Sequence, residues 1–147
     1  MKKLLTLFAI ILSVGMANAQ TKEETIAWLK DKLSKYIMGR DYDPERFTDI
    51  ALMSIDENKI VFVYKFKNYA GELNHMKEIL PISISRIDTN GYFIYSEKVC
   101  QINRDGTTKF EEKSMLTIAP VEDDIRSRIE KALKHLESVR PKKQETF

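Results

Sequence analysis

Between Phe47 and Ile118 the sequence repeats one pattern, short runs of alternating apolar and polar residues separated by turn residues. Ile60-Val61-Phe62-Val63-Tyr64-Lys65-Phe66-Lys67 is the clearest run. Successive side chains of a strand point to opposite faces, so Ile60, Phe62, Tyr64 and Phe66 share one face. The other face passes from Val61 and Val63 to Lys65 and Lys67, which predicts a strand buried on both sides at its start and wet on one side at its end. Asp88-Thr89-Asn90-Gly91 and Asp105-Gly106 carry the Asn-Gly and Asp-Gly signals of tight hairpins. Consecutive hairpins dictate an antiparallel meander rather than crossover α/β.

The remaining runs fit the same scheme. Phe47–Ser54 reads as a strand closed by a turn at Asp56-Glu57-Asn58, and Asn68–Asn74 as a loop around Gly71. Met76–Arg86 places Leu80, Ile82 and Ile84 on one face and Ser83 and Ser85 on the other. Pro81 has no N–H to donate, which predicts an edge strand or a bulge at that point. Tyr92–Arg104 is long for one strand, and its polar centre Ser96-Glu97-Lys98 predicts a bend or a further turn. Thr107–Ile118 follows, and Pro120 ends the sheet.

A helix stands at each end of this block. Thr21-Lys22-Glu23-Glu24 has capping-box spacing, in which Thr21 accepts from the amide three residues on and Glu24 reaches back. Ile26, Leu29, Leu33 and Ile37, with Tyr36 beside them, form one apolar stripe on a helix ending near Gly39. Trp28 lies off that stripe, rotated roughly 200° from Ile26, where it is either covered by a second surface or exposed for recognition. Glu122-Asp123-Asp124 precedes a second stripe of Ile125, Ile129, Ala132, Leu133, Leu136 and Val139, and carboxylates there suit the positive end of a helix dipole. The expectation is an α+β fold: an antiparallel β-meander or bent β-barrel of five to seven strands, with an N-terminal helix and a capping C-terminal amphipathic helix. One globular domain spans residues 20–140, and residues 141–147 form a flexible tail.

The charge balance locates one more segment. The 24 basic side chains exceed the 22 acidic ones by the number standing at Lys2 and Lys3, ahead of Leu4-Leu5-Thr6-Leu7-Phe8-Ala9-Ile10-Ile11-Leu12. With Ala17-Asn18-Ala19, these residues have the three parts of a cleaved secretory signal, residues 1–19. The apolar run is too short for a bilayer span, and Gln20 in place of Cys closes the lipoprotein route. A periplasmic or secreted domain is expected, without transmembrane segment or lipid anchor. Removing the signal leaves basic and acidic side chains equal at 22, which disfavours a nucleic-acid partner.

Catalytic motifs are sparse. The glycines are too scattered for a phosphate cradle or dinucleotide fingerprint, and His75, His135 and Cys100 are too few to suggest zinc. No cofactor or metal is expected. Asp41, Asp43 and Glu45 have the alternate spacing of a calcium loop, but Arg46 and Leu52 stand where its Gly and bidentate Glu belong. His75 could act as a general base only with an orienting carboxylate, Glu72 or Glu78; a solvated loop histidine is the simpler reading. His135 falls on the polar flank of the last helix. Cys100 reads as a small buried hydrophobe, with a catalytic thiol or an intermolecular disulfide as alternatives. Lys65, Lys67 and Lys77 could form a basic patch. The tyrosines, among them Tyr64, Tyr69, Tyr92 and Tyr95, could line a recognition surface or simply suit a half-buried sheet.

Thr21-Lys22-Glu23-Glu24-Thr25-Ile26-Ala27-Trp28-Leu29-Lys30-Asp31-Lys32-Leu33 resembles the opening of small exported proteins of the Bacteroidetes type. Arg128-Ile129-Glu130-Lys131-Ala132-Leu133-Lys134-His135-Leu136 resembles the last helix of the same group. That group is similar to pleckstrin-homology-like (PH-like) domains, a bent antiparallel sheet plugged by a C-terminal helix. The resemblance implies a fold and an export route but no activity. The reading is therefore an exported non-enzymatic binding or interaction module, with Trp28, Pro81, Tyr64 and Tyr92 as candidate contacts. Its partner would be a protein or small-molecule ligand of the cell envelope, and the protein itself a monomer or weak homo-oligomer. The alternatives are a small periplasmic hydrolase or lyase using His75 with a nearby carboxylate, and a self-associating structural envelope protein.

Overall fold

The computed structural model describes residues 21–40, 43–104 and 106–141. The expected export signal, residues 1–19, and the expected tail beyond Pro141 lie outside the described residues. The capping box forms as the sequence predicts: the Thr21 hydroxyl accepts from the Glu24 amide at 3.2 Å and the Glu24 carboxylate accepts from the Thr21 amide at 2.9 Å. Helix α1 runs over Lys22–Tyr36 and buries Thr25, Leu29, Leu33 and Tyr36. It stops before the predicted end at Gly39, because Ile37–Gly39 is extended as strand β1 and pairs antiparallel with Lys113–Ile118. A pairing partner distant in sequence overrides the local helical period.

The chain then forms β2 (Phe47–Ile55), β3 (Lys59–Lys67), β4 (Leu73–Pro81), β5 (Arg86–Ile87), β6 (Tyr92–Ile94), β7 (Cys100–Arg104), β8 (Thr107–Glu111), β9 (Lys113–Ile118) and helix α2 (Ile125–Ser138). The fold is α+β, as expected, but the strand count exceeds five to seven, and no closed barrel forms. The strands make two antiparallel sheets, β1-β9-β6-β5 and β2-β3-β4-β7-β8. The extra strands are β1, which takes the predicted end of the helix, and those made by three breaks, the first of them between Pro81 and Arg86. Tyr92–Arg104 divides around Ser96-Glu97-Lys98, where a bend was predicted, and Thr107–Ile118 divides at Glu112. At each break the chain changes sheet. The Tyr95 amide donates to the Glu112 carbonyl at 2.8 Å, which ties the last two crossings together.

β3 has the burial its alternation predicts, with Ile60, Val61 and Phe62 enclosed and Lys67 exposed. The turn at Asp88–Gly91 joins β5 to β6, with Gly91 at φ 85, a region closed to most other residues. Pro81 is a correction. Its strand β4 is not an edge, since it lies between β3 and β7. Proline is tolerated because β7 pairs only with Met76–Ile79, so the missing donor falls beyond the end of that ladder.

The core lies between the sheets and the helices. Leu29 and Leu33 of α1, Phe62, Phe93, Leu116 and Ile118 of the sheets, and Ile129, Leu133 and Leu136 of α2 are fully enclosed. Each such side chain contributes about 1.5–3 kcal/mol by leaving water. The acidic run before α2 supplies no side-chain cap. Asp124 takes a left-handed φ of 64 and makes no side-chain cap. Glu122 instead accepts a hydrogen bond from the Tyr36 hydroxyl of α1, which ties that helix to the segment leading into α2.

Candidate functional site

Most of the sequence-nominated contacts have structural employment. Trp28 is half-buried against the core, with the Arg128 guanidinium of α2 5.4 Å from its ring centre. The second covering surface is the answer there, not exposure. Tyr64 is 2% and Tyr92 3% exposed, so neither presents a recognition face. The Tyr92 ring lies 3.5 Å from the Lys113 ammonium, and the Tyr64 hydroxyl points inward. His75 is on β4 rather than in a loop, exposed and paired across the sheet with Lys65. Glu78 is three residues on, hence on the opposite face, and is fully buried. Glu72 is engaged with the Asn68 side chain at 2.7 Å. No hydrogen-bonded His75–carboxylate pair is therefore assembled. Among the described residues no cluster could hold a metal ion. Asp41 lies outside them, and Asp43 caps the turn by accepting from the Glu45 and Arg46 amides.

A buried polar cluster takes shape instead around Glu78. Its carboxylate accepts from the Tyr64 hydroxyl at 3.0 Å, the Met115 amide at 2.9 Å and the Cys100 thiol at 3.4 Å. Burial pushes its pKa up to about 7, against the opposing pull of those three donors. Burial and the adjoining carboxylate raise the Cys100 thiol well above its ordinary value. Cys100 is wholly enclosed, so the reading of a small buried residue holds, with the addition of a carboxylate partner. A signal for this cluster existed in the sequence: Glu78 is in phase with Met76 and Leu80 on the inward face of β4.

Through Met115 this cluster adjoins a cleft of ≈ 570 Å³. Its walls come from both sheets: β2, β3, β7 and β8 on one side and β9 on the other, with the β1–β2 and β3–β4 connections at the mouth. Phe47 and Phe66 form an aromatic wall, their ring centres 5.0 Å apart. Gly39 makes room for it, since a Cβ there would stand 2.2 Å from Phe47 Cγ. The Arg46 guanidinium stacks 4.9 Å from the centre of Phe66 and 4.0 Å from that of Tyr69, and its Nε donates to the Lys67 carbonyl at 3.2 Å. Arg104 approaches the same Phe66 ring, at 5.5 Å. Such contacts hold a guanidinium by its face and leave in-plane N–H groups available.

The two lysines on the walls are matched. Lys109 pairs with Glu111, and Lys113 lies 3.8 Å from Asp88. Ser114, also on the lining, is committed: its hydroxyl donates to the Leu116 carbonyl at 2.6 Å and accepts from the Phe93 amide at 3.1 Å. Among the described residues neither Arg46 nor Arg104 forms an ion pair with a carboxylate. Sequence reasoning missed this site because Arg46, Phe66, Tyr69 and Arg104 belong to separate segments, and no local spacing links them. Compared with known families, curated proteins and solved structures, the chain finds no match.

Proposed function

We propose that the protein is an exported, non-enzymatic binding module whose ligand site is the cleft lined by Phe47, Phe66, Tyr69, Arg46 and Arg104. One observation carries the reading: two guanidinium groups set against the Phe66 ring, with no carboxylate partner among the described residues, share a concave, aromatic-walled space. Clefts of roughly 300–1,000 Å³ with a few convergent polar groups are where small molecules bind. Binding rather than catalysis is favoured because, among the described residues, the one serine on the lining is committed to backbone groups and no histidine or cysteine lines it. Export is supported by the composition of residues 1–19. Kinship with exported PH-like modules is supported by the helical phrases Thr21–Leu33 and Arg128–Leu136 and by the order helix, sheets, helix. The support stops at that order.

A small-molecule library screened by thermal shift, with hits mapped by amide chemical-shift changes, tests the site. The expected result is changes clustered at Arg46, Asn68, Tyr69, Arg104 and Met115. Hits that map instead to the exposed β-face around His75 would overturn the assignment. Export is checked by fractionating cells that express the full chain and sequencing the mature N-terminus, which should read Gln20-Thr21-Lys22.

A further inference from the structure

We infer that the ligand of this cleft is a small organic oxyanion, a molecule whose carboxylate, sulfate or phosphate group is bound jointly by Arg46 and Arg104. The inference rests on the proposal that the cleft is the ligand site, and it adds the chemical class. Both guanidinium groups are fixed on one ring: Arg46 is 4.9 Å and Arg104 5.5 Å from the centre of Phe66. A guanidinium carries five donors in a rigid fork that matches the oxygens of carboxylate, sulfate or phosphate. Arg46 spends its Nε donor on the Lys67 carbonyl, which also fixes the direction of the fork. Stacking on Phe66 and Tyr69 holds the planar group before any ligand arrives, so less side-chain entropy is lost on binding.

The neighbouring charges sharpen the assignment. Lys109 and Lys113 are already offset by Glu111 and Asp88, and Asp43 turns Oδ1 to two backbone amides. Among the described residues, the positive potential from Arg46 and Arg104 is thus not cancelled by a carboxylate paired to either. A volume of ≈ 570 Å³ exceeds what a bare inorganic anion fills, and the walls beside the arginines are the rings of Phe47, Phe66 and Tyr69. An oxyanion carried on an organic body uses both features. A flat anionic surface such as a membrane could present the same headgroup, but it would not enter a concave cleft.

Titration of the isotope-labelled mature domain distinguishes these cases. Probes are citrate, glucose 6-phosphate, inorganic phosphate, glucose, indole and vesicles containing phosphatidylglycerol. The expected result is saturable movement of the Arg46 and Arg104 Nε–H signals with citrate or glucose 6-phosphate. Inorganic phosphate should bind more weakly and glucose not at all. Arg46→Gln with Arg104→Gln should weaken binding by on the order of a hundredfold. The Arg46→Lys, Arg104→Lys pair, which keeps charge but loses the fork, should weaken it on the order of tenfold. A thermal midpoint near wild type shows that each variant is folded. Cleft signals that move with glucose or indole but not with the anions would overturn the oxyanion assignment while leaving the cleft as the site. No movement in the cleft with any soluble probe would overturn both readings, and binding only to the vesicles would replace them with a surface role.

Discussion

Replacing Glu78 by glutamine should make the protein more stable at alkaline pH and remove a pH dependence that the wild type carries. Glu78 is fully buried and its pKa is raised to about 7 from an ordinary 4.5. Between those values the folded state binds a proton that the unfolded state has released. Stability therefore falls as pH rises through that window, is fullest below 4.5, and reaches its lower plateau above 7. The loss is about 3 kcal/mol, taken from the distance between the two pKa values at about 1.4 kcal/mol per unit. A glutamine side chain has the same shape and no charge. Its carbonyl can accept from the Met115 amide and the Cys100 thiol, and its amide can donate to the Tyr64 oxygen; the Tyr64 O–H then gives up its acceptor, as it does beside the protonated carboxyl of the wild type. Urea unfolding of wild type and Glu78→Gln at pH 4, 5.5, 7 and 8.5 measures the effect. Because the other titrating groups are shared, the difference between the two curves isolates this one position. The two should agree within about 1 kcal/mol at pH 4, and the variant should exceed wild type by about 3 kcal/mol at pH 8.5. A difference that stays constant across this range, or that grows toward acid, would refute the desolvation reasoning.

Gly39→Ala should lower stability by about 1–3 kcal/mol, because a Cβ would meet the Phe47 ring at 2.2 Å; a urea midpoint unchanged from wild type would contradict that close approach. Leu133→Ala should cost about 2–5 kcal/mol, since Leu133 is wholly enclosed where α2 meets the core. Calorimetry is the check, and a loss below about 1 kcal/mol would mean that this face of α2 is not packed as described. Cys100 should resist a thiol reagent in the native state and react fully once the chain is unfolded in denaturant, because the thiol is enclosed and its ionisation suppressed. Rapid native labelling would overturn that burial.

Much of the fold is legible in local sequence. The capping box at Thr21 and Glu24, the two apolar helical stripes, the alternation of β3 and the hairpin at Asp88–Gly91 all appear where the residues dictate. In each case the cause lies within a few positions: an amide and a carboxylate three residues apart, side chains in phase on one face, a glycine at positive φ. The misreadings have a common origin. Ile37–Gly39 leaves the helix because β9 offers it a ladder, and Pro81 sits in a central strand because β7 stops short of it. Neither fact is local. The same holds for Trp28, whose cover is Arg128 of the other helix.

Sequence alone determined the character of each segment, the turns, and which residues of each run share a face, because these follow from backbone geometry and short-range hydrogen bonds. Even the inward placement of Glu78 was implicit in its phase with Met76 and Leu80. Tertiary structure decided which sheet each strand joins, and thereby everything chemical. By dividing the long runs after Pro81, around Ser96–Lys98 and at Glu112, the chain sends its strands to two sheets. That division brings Tyr64, Cys100 and the Met115 amide to one carboxylate and opens the cleft where Arg46 and Arg104 share Phe66. Those contacts join segments far apart in the chain, and only the packed molecule makes them neighbours.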